Sequence, residues 1–400
     1  MKFNQWTLGL AAVGVISLAS AARAEEGAVP LLTALSATTI SGYVDTSAQW
    51  NLGTGNEYNP NYKFGGPAKA DGFNLNVVQL SIAKPLDESE WAAGYKVDLW
   101  FGPDANTLRT GSAMSGDVGR ENADFAIRQA YVALRAPVGN GLDFKVGVFD
   151  SIIGYESVES GNNPNMTRSY GHGIEPQTMT GVLATYRFGE CFSAAVGVAN
   201  TVGPSINNRA FDTGIDWASP DKAESYKTYM GSIALTAPES WGCLAGSTLY
   251  AGVVNGFNYD ENDWAGSDIY ENTTSWYVGA TIATPVTGLR LGAAFDYLDV
   301  HNWGSSYDNA WAVAGYASFQ ATEKLSLHAR GEYFEDNTGD FGVPGKVVAL
   351  TGTIQYDLWQ NVISRAEVRW DHAAGHHTEY GMDGDLKNAV MIAFNVIYKL

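Results

Sequence analysis

The sequence predicts an all-β fold: a transmembrane antiparallel β-barrel of about 16 strands. Three observations carry that expectation. From about residue 37 to residue 400 the chain is a succession of segments that alternate with period two. The connections between them alternate in length, short then long. The composition fits neither a helical membrane protein nor a disordered chain. Gly makes up 45 of 400 residues, aromatics 12% and charged residues 17%, against usual values of ~7% for Gly and ~25% for charge. Mean hydropathy is -0.13. Beyond residue 24 no run of ~18 apolar residues occurs, so no helix is expected to cross a bilayer.

Residues 1–24 read as a signal peptide. Lys2 gives a positive start, Leu8 to Ala19 an apolar stretch, and Ala22-Arg23-Ala24 a small-residue cleavage site. Residues 25–36 form a short periplasmic N-terminal segment, and 37–400 the barrel. The formal charge is -19 with 24 Lys+Arg and 43 acids. Removing Lys2 and Arg23 with the signal leaves 22 basic residues and a charge of -21. That balance argues against nucleic acid as a partner, because phosphate binding needs clustered Lys and Arg.

The first strand sets the pattern. Ile40, Gly42, Val44, Thr46, Ala48 and Trp50 fall on one face, and Ser41, Tyr43, Asp45, Ser47, Gln49 and Asn51 on the other. The last strand repeats it, with Val390, Ile392, Phe394, Val396, Tyr398 and Leu400 on the apolar face. Similar segments are expected at 73–84, 91–101, 124–135, 142–149, 177–188, 192–200 and 227–237. The series continues at 246–257, 273–284, 289–299, 310–320, 325–334, 346–358, 362–371 and 387–400. Most exceed the five to six residues (roughly) of a soluble strand and suit tilted strands crossing a bilayer. Trp50, Trp91, Trp100, Tyr186, Trp276, Trp370 and Tyr398 sit near strand ends, where an interfacial aromatic girdle belongs.

Short connections such as 86–90, 137–141, 189–190 and 285–288 read as periplasmic turns. Long ones, including 53–71, 102–122, 150–176, 201–225 and 258–272, read as extracellular loops. The third long loop, 150–176, is expected to fold into the lumen. It carries apolar Ile152 and Ile153 beside Glu156, Glu159 and Glu175, an unusual content for an exposed loop.

Charges within strands report the lumen, because Arg or Lys facing lipid costs ~2–4 kcal/mol at the midplane. Alternation turns Arg330 and Glu332 inward on one strand, and Arg365, Glu367, Arg369 and Asp371 on another. Lys96, Asp98, Asp143, Lys145, Arg187, Arg290 and Asp296 follow the same rule. A constriction is expected where Glu156 and Glu159 face Arg330, Arg365 and Arg369. The bland reading is that these charges only brace the wall. Cys191 and Cys243 sit in short turns, and a disulfide between them requires Cα atoms within ~7 Å.

Four passages carry a family resemblance: SGYVDTSAQWN from Ser41; RQAYVAL at 128–134 with LDFKVGVFDSIIGYE at 142–156; NNPNMTRSYGHGIEPQTMTGV at 162–182; and LHARGEYFED at 327–336 with SRAEVRWD at 364–371. In order and spacing the chain resembles the OmpL-like β-barrel porins over essentially its whole mature length. It departs from the usual aromatic C-terminus by ending in Leu400. The resemblance implies an outer-membrane porin for passive diffusion of ions and small hydrophilic solutes. Its partners would be outer-membrane lipid, lipopolysaccharide and those solutes, with no cofactor or metal and with self-association into a homo-oligomer left open. One alternative is a channel preferring sugars or nucleosides, with Tyr43, Trp100 and Tyr131 as an aromatic track. Another is a non-conducting structural or adhesive barrel. An enzyme is disfavoured: there is no Gly-x-Ser-x-Gly elbow, and only His328 of the six histidines is placed in a strand.

Overall fold

The computed structural model describes residues 37–53, 60, 62–111, 124–210, 224–258, 271–302, 307–339, 341, 345–375, 380–381 and 383–400. The expected signal peptide and periplasmic segment lie outside these residues. Sixteen strands are described. They are β1 (Thr39–Leu52), β2 (Gly72–Lys84), β3 (Ala92–Phe101), β4 (Phe125–Ala136), β5 (Leu142–Asp150) and β6 (Thr178–Arg187). Then follow β7 (Phe192–Ala199), β8 (Thr228–Thr236), β9 (Thr248–Asn258), β10 (Glu271–Ala283) and β11 (Leu289–Asn302). The last are β12 (Tyr307–Gln320), β13 (Leu325–Asp336), β14 (Lys346–Trp359), β15 (Val362–Ala373) and β16 (Asn388–Lys399). Each pairs antiparallel with its neighbours in sequence, and β1 closes on β16 through Tyr43↔Lys399 to Leu52↔Val390. Closure leaves no unpaired edge, as a bilayer requires.

The expected strands all appear, most within a few residues of their anticipated ends. β11 and β15 run longer than anticipated, so His301 and His372 lie in strands rather than loops. Period two sorts the side chains. In β16, Phe394, Val396 and Tyr398 are exposed to the lipid side, while Met391, Ala393, Asn395 and Ile397 are buried inward. We expect Phe394→Arg to cost ~2–4 kcal/mol, seen as a lower urea midpoint for folding in lipid vesicles.

Two irregularities re-aim side chains. The β1–β2 ladder shifts between Asp45 and Thr46, making Asn76 an extra residue, so that Asn76 and Val77 are both buried. The β3–β4 ladder shifts between Asp98 and Leu99, which leaves Arg128 as the extra residue. Such a bulge breaks the alternation and turns a side chain that would face lipid. Arg128 and Gln129 are consequently both buried.

The described parts of the first two long connections also pack inward. Phe64 packs on Trp100 with ring centroids 5.6 Å apart, and the Tyr62 hydroxyl donates to Gln49 Oε1 at 3.0 Å. A short helix, α1 (Pro103–Leu108), buries Ala105 and Leu108 beside them.

Candidate functional site: a segment docked across the lumen

The chain leaves β5 at Asp150 and re-enters the wall at Thr178. The base of this excursion is tied by the Ser151 amide donating to Gln177 O at 2.7 Å. Ile152 and Ile153 are buried among Phe149, Met179, Met230 and Val254. The wall is cut to receive them. A Cβ at Gly252 would collide with Ile153, and one at Gly292 with the Tyr155 hydroxyl. Tyr155 stacks on Tyr316 at 4.1 Å between centroids. Gly292→Val is therefore expected to overpack this seat by ~1–3 kcal/mol. Increased proteinase cleavage within residues 151–177 on intact membranes is the check.

Beyond Tyr155 the segment is irregular except for a 3₁₀ turn at Ser160–Asn162 and a short helix, α2 (Tyr170–Ile174). Buried irregular backbone must still have its N–H and C=O groups paired. The charged wall supplies the partners. Glu367 accepts the Met166 and Thr167 amides at 2.6 and 2.9 Å, and Glu332 accepts the Tyr170 amide at 2.7 Å. Arg365 donates to the carbonyls of Ser160, Asn163 and Asn165 at 3.1–3.2 Å. Arg330 donates to Thr167 O and Arg168 O at 2.7 and 3.1 Å, and Arg369 to Arg168 O at 2.8 Å. A guanidinium, with five donors in a planar fork, can hold several carbonyls that no sheet edge reaches. Ion pairs complete the array: Arg330 with Glu156 and Glu332, both at 2.9 Å, and Arg369 with Asp371 at 2.8 Å.

The segment thus meets the wall of β13 and β15, the place anticipated for the constriction. Two parts of that expectation are corrected. Arg330 and Arg369 side chains have 0% exposure, and Arg365, Glu332, Glu367 and Glu156 are also buried. With Glu156 in direct contact with Arg330, no water-filled gap separates the charges. They hold the segment against the wall. Glu159 departs further. It turns away from β13 and β15 and pairs with Arg128 of β4 at 2.9 Å. Arg128 also holds Asp98 and Asp150, each at 2.9 Å. Sequence reasoning missed Arg128, because alternation places it on the lipid side and only the bulge turns it inward.

A group of inward charges that keep solvent access lies on the other side of the segment. Lys96, Asp150 and Glu159 side chains are 28%, 32% and 21% exposed. Lys145 is half-buried, with its ammonium 5.0 Å over the Tyr131 ring. Next to them Gly147 pairs with Gly181 and leaves that stretch of wall without side chains. The aromatic track does not form: Tyr43 and Trp100 are buried, and only Tyr131 borders this space.

The remaining candidates are placed simply. Cys191 and Cys243 are free, exposed thiols on the short-turn rim, so the bridge left open by the sequence is not formed. Asp371 is taken by Arg369 and by the Tyr170 hydroxyl, which donates to it at 2.5 Å. His376 and His377 lie outside the described residues. Burial and the Arg168 guanidinium hold His172 of α2 well below its ordinary pKa, and burial holds Asp104 of α1 up at about 6.

The profile of a family described as "Putative beta-barrel porin-2, OmpL-like" matches residues 37–400. No curated protein matches the chain in sequence. Among solved structures, the chain is similar to an anion-selective porin from Comamonas acidovorans, with 10% identity, a TM-score of 0.61, and 91% of this chain and 99% of that chain covered. It is similar to Salmonella typhi OmpF in complex with daunomycin, with 13% identity, TM-score 0.57, and 91% and 97% covered. It is also similar to the trimer form of Vibrio cholerae OmpT, with 13% identity, TM-score 0.52, and 91% and 99% covered. At these identities the likeness is one of fold.

Proposed function

Because the chain belongs to the OmpL-like β-barrel porin family, we propose that it is an outer-membrane porin, a water-filled channel for passive diffusion of ions and small hydrophilic solutes. One observation carries the reading: the inserted segment covers the β13–β16 wall and leaves a solvent-accessible strip along β3–β6. That strip bears Lys96 and Lys145 on the barrel and Asp150 and Glu159 at the ends of the segment's first limb. Both signs of charge border one passage, which disfavours apolar solutes and gives weak ion preference. The acidic chain adds a mild bias toward cations at the mouths. The buried Tyr43 and Trp100 remove the basis for a sugar-preferring track.

The protein is exported by a cleaved signal ending at Ala24 and sits in lipid and lipopolysaccharide of the outer membrane. It is a channel and not an enzyme. It self-associates, a reading supported by the trimer form of the similar Vibrio cholerae protein. Purified protein refolded into planar bilayers under a KCl gradient is expected to give stepwise conductance with a small reversal potential of cation-selective sign. Absence of steps from protein shown to be folded would overturn the reading.

A further inference from the structure

One buried acid of the inserted segment plays no part in the docking array. Glu175 follows α2 on the returning limb and has no arginine partner. Its Oε2 lies 3.1 Å from His172 Nδ1. It packs against Gly154, where any Cβ would collide with the carboxyl group. A second carboxyl, that of Asp296 of β11, lies beside it close enough to share a hydrogen bond. Asp296 is 5% exposed and lies against α2 at Gly171, where a Cβ would again collide. Two ionised carboxylates have only acceptors. A hydrogen bond between them therefore exists only while a proton is shared.

We propose that Glu175 and Asp296 form a proton-shared latch that holds the returning limb of the segment to the wall and releases it as pH rises. The surroundings favour this role. Glu156 on the outgoing limb adds negative charge near both carboxyls, and Lys63 of the first extracellular connection is the cation that faces Glu175. His172 on α2, with Arg168, Lys63 and Arg330 near it, stays neutral and supplies no charge. The Tyr277 side chain on β10 lies near both carboxyls. Burial, and then the Asp296 carboxylate, push the Glu175 carboxyl well above the usual range.

The sign follows. Docked Glu175 binds its proton more tightly than released Glu175. The docking contribution is complete below the ordinary carboxylate pKa and is lost as pH rises through the raised one. Residues 160–167 are held by Arg365 and Glu367, and Tyr170 by Glu332 and Asp371, so the movement is confined to residues 171–175.

The test does not depend on conductance. Amide hydrogen exchange of residues 169–177 is measured from pH 5 to pH 9 in refolded protein, with the intrinsic pH dependence of exchange removed. In the parent, protection should fall by ~tenfold per pH unit from the ordinary carboxylate range up to the latch pKa, the linkage of one proton, and level off above it. Glu175→Gln keeps the shape and donates permanently to Asp296, so its protection should stay level. Constant protection in the parent, the same loss in Glu175→Gln, or a parallel loss at 160–167 would each overturn the latch. A channel reading that failed in bilayers would leave this outcome unaffected.

Discussion

Replacing Arg330, Arg365 and Arg369 together by Ala is expected to free the inserted segment and raise single-channel conductance severalfold. The three guanidiniums donate to six backbone carbonyl contacts of the segment. They also neutralise Glu156, Glu332 and Asp371. Without them the buried carbonyls lose their donors and the buried carboxylates their counter-charges, and breaking a buried pair costs ~3–5 kcal/mol. The segment can avoid that cost by leaving the wall, which uncovers the lumen along β13–β16. Single-channel recording of the triple variant is the measurement, with cleavage of the segment by added protease as its companion. Should the triple variant refold poorly, exchanging residues 156–170 for a short Gly-rich linker reaches the same end without touching the barrel. Parent-like conductance from a folded variant of either kind would place the limiting section elsewhere.

The second large effect concerns selectivity. Lys96→Glu with Lys145→Glu should drive the channel toward strong cation preference, while leaving its conductance in concentrated salt near that of the parent. A unit charge ~4 Å from a passing ion is worth ~1 kcal/mol in water, so inverting two such charges shifts the cation-to-anion ratio by ~10-fold or more. The reversal potential in a tenfold salt gradient reads this directly (about tenfold suffices, since dilute salt limits screening). Lys346→Glu is the control. Its side chain is 48% exposed at the start of β14, away from the passage, and it pairs with Glu335. An equal shift from that control would mean that overall charge, and not the strip along β3–β6, sets the preference.

The barrel was legible because its physics is local. A strand that faces lipid on one side and the lumen on the other must alternate, and Ile40 to Trp50 or Val390 to Leu400 display that alternation with no knowledge of neighbours. The inward set on β13 and β15 followed from the same rule, as did the insertion of 150–176 from the apolar Ile152 and Ile153. Arg128 was not legible, because a bulge is decided by how β3 and β4 pair. The glycine seats at Gly252 and Gly292 were also hidden. Nothing in a strand pattern separates a glycine that admits a loop side chain from one that merely widens the wall.

The sequence by itself determined the architecture: period-two segments of membrane-crossing length, joined by short turns and long loops, and a face of Arg and Glu turned to the lumen. Tertiary structure alone decided what that face does. Glu156 goes to Arg330 and Glu159 goes to Arg128 because the segment crosses the lumen and bends at Ser160–Asn162, and a path through space leaves no trace in residue spacing. Once docked, its unpaired backbone takes up the charges of β13 and β15. Lys96 and Lys145 of the opposite wall keep their access to water.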